Sequence, residues 1–187
     1  CDVTEDVKRR DFTINGLYFD QKSGEVLDLV NGLLDLKEKK IKAIGLASQR
    51  FNEDALRLLR AVRFAAGLGF TIEEETKIAI KKAAPLILKI SMERIRDELE
   101  KMLVEPSIKQ AILELEALNL FENVLPEISV AKLNHRKVWD QTLRVLTNLS
   151  VYPKKEPIAF YWAALYLPTL RLFSMENRET EARKIGA

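Results

Sequence analysis

Asn52-Glu53-Asp54-Ala55-Leu56-Arg57-Leu58-Leu59-Arg60-Ala61-Val62-Arg63-Phe64 is the stretch on which the reading of this chain turns. Its arginines recur every three residues. On a helix, residues three apart share nearly one face, so Asp54, Arg57, Arg60 and Arg63 form one polar ridge. Leu56, Leu59, Val62 and the alanines fill much of the rest, which makes the helix largely buried. Guanidinium groups set into such a helix are costly unless something anionic or planar meets them, and a nucleotide is both. Asn52 reads as the N-cap, with Glu53 and Asp54 in the first turn at the positive end of the helix dipole. The plainer alternative is an exposed Asp54–Arg57 ion pair worth less than about 1 kcal/mol. That alternative does not explain why Arg57 stands near a helix N-terminus, where a cation is disfavoured.

Composition sets the outer bounds. A chain of 187 residues, 47% apolar and 31% charged, has the make-up of an ordinary soluble globular protein of one or two domains. A formal charge of +2 permits a nucleic-acid partner without demanding one. One cysteine, Cys1, excludes a disulfide framework and a Cys-rich zinc site, and leans the chain towards the cytoplasm. One histidine, His135, leaves little room for a Ser-His-Asp triad or a histidine metal cluster. No apolar run approaches the roughly 18–20 residues of a membrane span, so no membrane partner is expected. The first residues, Cys-Asp-Val-Thr-Glu, already look structured, which reads as a fragment whose true N-terminus lies upstream.

Along the chain, residues 12–19 read as a strand, 20–24 as a turn and 25–30 as a second strand, giving a hairpin, with a third short strand over 40–44. Helical periodicity then takes over, with segments expected at 53–68, 73–84, 91–103, 106–119, 138–149 and 156–167. Boundaries are placed between 45 and 52 and, more softly, near 126–134. Trp139, Trp162 and Phe160 read as core, and His135 as a helix-entry or surface residue.

A second constellation stands near the start: Arg9-Arg10-Asp11-Phe12-Thr13-Ile14-Asn15. Arginine forks bind phosphate oxygens bidentately, and a carboxylate can accept from a sugar hydroxyl, so the segment suits a nucleoside triphosphate. By itself it is equally a solvated basic lead-in to a strand. Together, Arg-Arg-Asp-Phe-Thr-Ile-Asn and the later Glu-Asp-x-x-Arg-x-x-Arg-x-x-Arg-Phe resemble the class II tRNA nucleotidyltransferase and poly(A) polymerase family. Glu93-Arg94-Ile95-Arg96-Asp97-Glu98-Leu99 is similar to that family's Glu-Arg-x-x-x-Glu-Leu segment, and Gly24 to Gly32 to the stretch between its head strands. The resemblance covers about residues 5–130 well and the remainder weakly.

What the resemblance implies is an α+β fold, mostly α: the C-terminal piece of a nucleotidyltransferase β-sheet head (1–48), an all-helical neck (49–130) that selects nucleotides and binds RNA, and the start of a helical body (131–187) with a degenerate HD-like segment. It implies nucleotide contacts from Arg10, Asp11 and Asn15, with Asp11 near the ribose, and from Asp54, Arg57, Arg60 and Arg63. Asp54 and Arg57 would pair with the Watson–Crick edge of CTP or ATP, while Glu53, Glu93, Arg94 and Glu98 would brace that helix. The implied function is template-independent addition of C and A to tRNA 3′ ends. Alternatives are a poly(A) polymerase of the same family or a noncatalytic helical RNA-binding module. The implied Mg2+ ligands, an Asp-x-Asp pair, belong upstream of Cys1, so the fragment alone is expected to be inactive. Glu5 and Asp6 are the nearest acidic residues to that missing pair, and neither is expected to hold metal. Around Trp139 to Thr142 and Ala163 to Pro168 the HD-like likeness lacks its ligands, with Gln141, Leu167 and Pro168 at those places. Candidate tRNA-phosphate contacts are Arg136, Lys137, Lys154 and Lys155.

Overall fold

The computed structural model describes residues 2–134, 136–151 and 156–170; His135, Lys154 and Lys155 lie outside them. Helix α1 (Val3–Val7) is followed by a single 3-10 turn at Thr13–Asn15 and the hairpin β1 (Leu17–Phe19) and β2 (Val26–Asp28). Antiparallel pairing of Leu17 with Asp28 and Phe19 with Val26 bears out the hairpin. Its turn is closed by Asp20, whose carboxylate accepts from the Lys22 amide at 2.9 Å and the Ser23 hydroxyl at 3.0 Å, while Gly24 takes φ +73°. The expected strand over 12–19 shortens to three residues. Phe12 makes only an isolated bridge to Ala43, and the Asp11 carboxylate, accepting from the Phe12 and Asn15 donors, turns the chain inward.

The following helix α2 (Gly32–Lys37) was not legible in the sequence pattern. Asp28 starts it, accepting from the amides of Val30, Gly32 and Leu33 at 2.9–3.1 Å. Burial alone would raise the Asp28 carboxyl, but those backbone donors outweigh it and hold the group below the usual carboxylate range. Gly32 is required here because a Cβ would collide with the Thr13 carbonyl oxygen.

Strand β3 (Lys40–Ile41) leads through α3 (Ala47–Glu53) to α4 (Leu56–Leu68). The single helix expected from residue 53 is therefore two helices with a break at Asp54, whose backbone is extended at φ −148° and ψ 101°. Asn52 is not an N-cap; it lies in the last turn of α3, its amide bonded to the Ser48 carbonyl. Asp54 does the capping, its Oδ1 accepting from the Leu56 amide at 3.1 Å. Helix α4 ends where Gly69, at φ +66°, lets its own amide reach Ala66 and the Phe70 amide reach Ala65 at 2.8 Å.

Beyond it, β4 (Thr71–Ile72) returns to pair parallel with β3, Ile41 opposite Ile72. The rest is helical: α5 (Glu74–Ala83) with a 3-10 continuation Ala84–Lys89, α6 (Met92–Leu103), α7 (Ile108–Ala117), α8 (Phe121–Val124), α9 (Pro126–Asn134), α10 (Arg136–Ser150) and α11 (158–170). This is the α+β, mostly α architecture that the sequence implied. Helices α3, α8 and α9 were not expected, being short or too weakly patterned to stand out.

Helix α4 lies at the centre. Leu58, Leu59, Ala61 and Val62 are wholly buried, and the core runs unbroken from Phe12 and Ile41 through α4 to Ile112, Leu120 and Tyr161. It crosses the boundaries expected at 48/49 and 130/131, and β3–β4 pairing also spans the first of them. Trp139 is buried edge-to-face on Phe121 at 5.5 Å, and Trp162 is partly buried with its indole N–H on Glu100 at 3.0 Å. Phe160 corrects the core expectation: it is 56% exposed, on the outer face of α11.

Candidate nucleotide-binding site

The break between α3 and α4 opens a cavity of about 530 Å³, within the range of small-molecule sites. Five arginines (9, 10, 57, 60 and 94) and two aspartates (11 and 54) line it, together with Asn15, Leu56 and Phe64. It therefore gathers six of the seven expected nucleotide-binding residues from two stretches of chain. Arg63 is the seventh and is not on the cavity wall.

Three structural devices set the geometry. First, Arg10 donates to the Asn15 carbonyl at 2.8 Å and to Asp6 at 3.1 Å, and its guanidinium stacks 4.5 Å from the Tyr18 ring. The Tyr18 hydroxyl donates to Asp6 at 2.6 Å; that bond, then Arg10, holds the Asp6 carboxyl below its usual range. Asp6 thus steadies Arg10.

Second, Asp11 is 7% exposed and already engaged: Oδ1 accepts from the Phe12 amide and the Asn15 side chain, Oδ2 from Arg60 Nε at 2.7 Å. Up to one more donor can reach a carboxylate so filled. In this structure Asp11 aims Asn15 and Arg60. The Arg60 guanidinium also lies 5.2 Å from the Phe64 ring.

Third, Asp54 and Arg57 flank the break with no bond between their side chains, so the simple ion pair is not what the structure holds. Asp54 Oδ2 accepts from Arg94 of α6 at 2.9 Å. Arg57 donates to the carbonyls of Arg50 at 3.0 Å and Arg9 at 2.8 Å, and to Glu53 at 3.0 Å. Its awkward place at a helix N-terminus is resolved by the neighbouring helix: the Arg50 carbonyl belongs to the negative C-terminal end of α3.

Arg63 points elsewhere, donating to Glu98 at 2.8 Å and lying 4.2 Å from the Phe64 ring. Glu98 is 2% exposed and also accepts from Lys101 at 2.7 Å. Burial pushes the Glu98 carboxyl up, but the Lys101 and Arg63 bonds outweigh it and leave the group below the usual range. Glu98 bonds Arg63, Glu53 bonds Arg50 and Arg57, and Arg94 both bonds Asp54 and lines the cavity. Glu93 does neither: it edges a separate apolar hollow with Met92, Trp162 and Tyr166. Sequence reasoning missed Phe64 and Arg94 as wall residues and the Arg9 carbonyl as an acceptor; a main-chain acceptor leaves no side-chain signal to read. A further hollow of about 450 Å³ between α3 and α5 offers Lys42 and Lys82 offset by Glu73 and Glu75, without an arginine fork.

Among the described residues no cluster of three or more His, Cys, Asp or Glu could hold a metal ion, so the residues present do not fit the Mg2+ that the resemblance implies. Nor, among them, is any helix long and apolar enough to cross a membrane.

Residues 1–42 match the poly A polymerase head domain, and residues 69–132 the probable RNA and SrmB-binding site of polymerase A. The chain belongs to the family of class II CCA-adding enzymes and poly(A) polymerases. It is 44% identical over 163 residues to the CCA-adding enzyme of Lactobacillus delbrueckii subsp. bulgaricus, a match that takes in 87% of this chain and 38% of that relative. The Bacillus stearothermophilus CCA-adding enzyme in complex with CTP superposes with a TM-score of 0.70 at 32% identity, over 95% of this chain and 44% of that one. A tRNA nucleotidyltransferase complexed with a primer tRNA and an incoming ATP analog does so at 0.66 and 27%, over 89% and 49%. The chain thus spans less than half the length of these three relatives.

Proposed function

We propose that this chain is the nucleotide-selecting part of a cytoplasmic tRNA nucleotidyltransferase that adds C and A to tRNA 3′ ends from CTP and ATP. The observation that carries it is that Asp54 and Arg57 border one cavity with Arg10, Asp11, Asn15 and Arg60. The exocyclic amine of cytosine or adenine donates to the Asp54 carboxylate, displacing or sharing the Arg94 bond, while Arg57 donates to a ring nitrogen or carbonyl. Uracil and guanine present a carbonyl where the amine should be and leave the carboxylate facing an acceptor, which is why UTP and GTP are rejected. Arg10 and Arg60 offer charge and forked donors to phosphate oxygens. Asn15, held by Asp11, keeps its remaining polar capacity for the sugar. Arg63 supports α4 through Glu98 and leaves the ligand to the other arginines.

The two solved relatives named above hold CTP in one case and a primer tRNA with an ATP analog in the other, which supports both substrate classes for this chain. Attack of an RNA 3′ hydroxyl on the α-phosphate, with pyrophosphate as the leaving group, is the part of the reaction that the family resemblance assigns to acidic residues other than those lining this cavity.

Titrating this chain with each of the four nucleoside triphosphates tests the reading. CTP and ATP should bind about tenfold or more tighter than UTP and GTP, from a discrimination of roughly 1–3 kcal/mol per well-made pair. Equal affinities for all four overturn it. In a longer protein carrying this chain, a tRNA lacking its terminus should gain C, C and A and stop; an open-ended A tail would make the protein a poly(A) polymerase instead.

A further inference from the structure

Arg57 is itself held by an arginine outside every recognised motif residue. Arg50, in the last turn of α3, has a side chain 17% exposed and does not line the cavity. Its Nη2 donates to Glu53 Oε1 at 2.6 Å and its Nη1 to the Lys8 carbonyl. The other oxygen of the same carboxylate, Glu53 Oε2, accepts from Arg57 Nη1 at 3.0 Å, and Arg57 Nη2 reaches the Arg9 carbonyl at 2.8 Å. One carboxylate therefore spans two guanidinium groups, and each guanidinium grips one of two consecutive carbonyls. Those carbonyls lie immediately before Arg10 and Asp11.

The charges explain the order of this arrangement. Two arginines side by side repel unless an anion stands between them, and Glu53 is that anion. Glu53 is 48% exposed and its carboxylate is bonded by Arg50 and Arg57, so Arg50 is the tie that holds it independently of Arg57. Arg57 can present a fixed edge to a base only while its three acceptors, the Arg50 and Arg9 carbonyls and the Glu53 carboxylate, stay in place.

We propose that Arg50 is a positioning residue for base selection: by tying Glu53 to the Lys8–Arg9 segment, it fixes the angle of the Arg57 guanidinium. The inference rests on the base-reading role proposed above for Arg57. It also makes selection depend on the register between the small β part and the helical neck, because Arg50 and Arg57 fasten the two together.

The test uses this chain with Arg50→Ala and Arg50→Lys beside the unmutated protein and Arg57→Ala. Three quantities are read: the thermal midpoint, the rotation rate of the Arg57 guanidinium by nitrogen-15 NMR, and the ratio of CTP to UTP affinity by titration. Losing the charge-assisted bonds in Arg50→Ala should speed Arg57 rotation about tenfold. The affinity ratio should fall about tenfold, towards that of Arg57→Ala. Arg50→Lys can make one of the two bonds and should recover part of both. A folded Arg50→Ala with unchanged rotation and unchanged ratio overturns the proposal, whatever its midpoint, because Arg50 is then only a staple between α3 and the Lys8–Arg9 segment. Unmutated protein with a CTP to UTP ratio of one sinks the base-reading role instead, and the rotation rate still judges Arg50. Should Arg50→Ala not fold, Arg50→Lys carries the same two readouts.

Discussion

Arg57 and Arg63 stand on the same helix, six residues apart, in a run whose spacing makes them look alike, yet they end in opposite surroundings. Arg57 sits in the first turn of α4 beside the break, held by two carbonyls and a half-exposed glutamate, with its edge on a cavity. Arg63 is bound to a glutamate that is almost wholly buried, away from that cavity. The lesson is that spacing puts arginines on one face, but the partner that each meets decides whether it stabilises or recognises. A buried partner fixes a charge for good; a partly exposed set of acceptors leaves donors for a ligand.

The largest effect should come from removing the stabilising member. Arg63→Ala leaves Glu98 buried with only Lys101, and should cost about 3 kcal/mol, as loss of one partner of a buried pair does. For a chain of this size that lowers the thermal midpoint by roughly 6–12 °C. The CTP to UTP affinity ratio, measured well below that midpoint, should stay unchanged. A changed ratio would break the comparison by bringing Arg63 into the site.

Arg57→Ala should do the reverse. The affinity ratio should drop about ten- to hundredfold, corresponding to roughly 1–3 kcal/mol of discrimination, while the thermal midpoint moves less than in Arg63→Ala. A large loss of stability with selection intact would make Arg57 a second Arg63.

The smallest effect is on the acid side. Because Glu98 has a lowered pKa in the folded chain, its contribution is fully present above the ordinary glutamate value of about pH 4.3 and is lost as pH falls through the lower folded value. Stability of the unmutated chain should therefore decline on acidification below that point, and Arg63→Ala should show a shallower decline in a series of unfolding curves. Identical slopes would mean that Lys101 alone sustains the Glu98 carboxylate.

Much of this was legible beforehand for a physical reason. The hairpin is marked by local turn chemistry at Asp20 and Gly24, and α4 to α6 by apolar periodicity, both of which act within a few residues. Asp54 and Arg57 could be singled out because polar groups in an apolar setting are costly and so are informative, whereas Arg10 and Asp11 came through the resemblance of their motif. What failed were features set by distant neighbours. The β3–β4 pair is two residues long on each side and exists only because Gly69 returns the chain to it. The helix break at Asp54 looks in sequence like a continuous acidic N-terminus, since a capping carboxylate and a first-turn carboxylate are the same residue type.

The sequence by itself determined the family through its motifs, the mostly helical α+β class through local period, and Arg10, Asp11, Asp54, Arg57 and Arg60 of the charged residues that gather at the cavity, though not Arg94. Only the tertiary structure decided what each charge faces. Arg60 meets Asp11 across 49 positions, Arg94 meets Asp54 across 40 and Arg57 meets the Arg9 carbonyl across 48. An electrostatic interaction depends on distance in space rather than along the chain, so those pairings follow only once the core around α4 has packed.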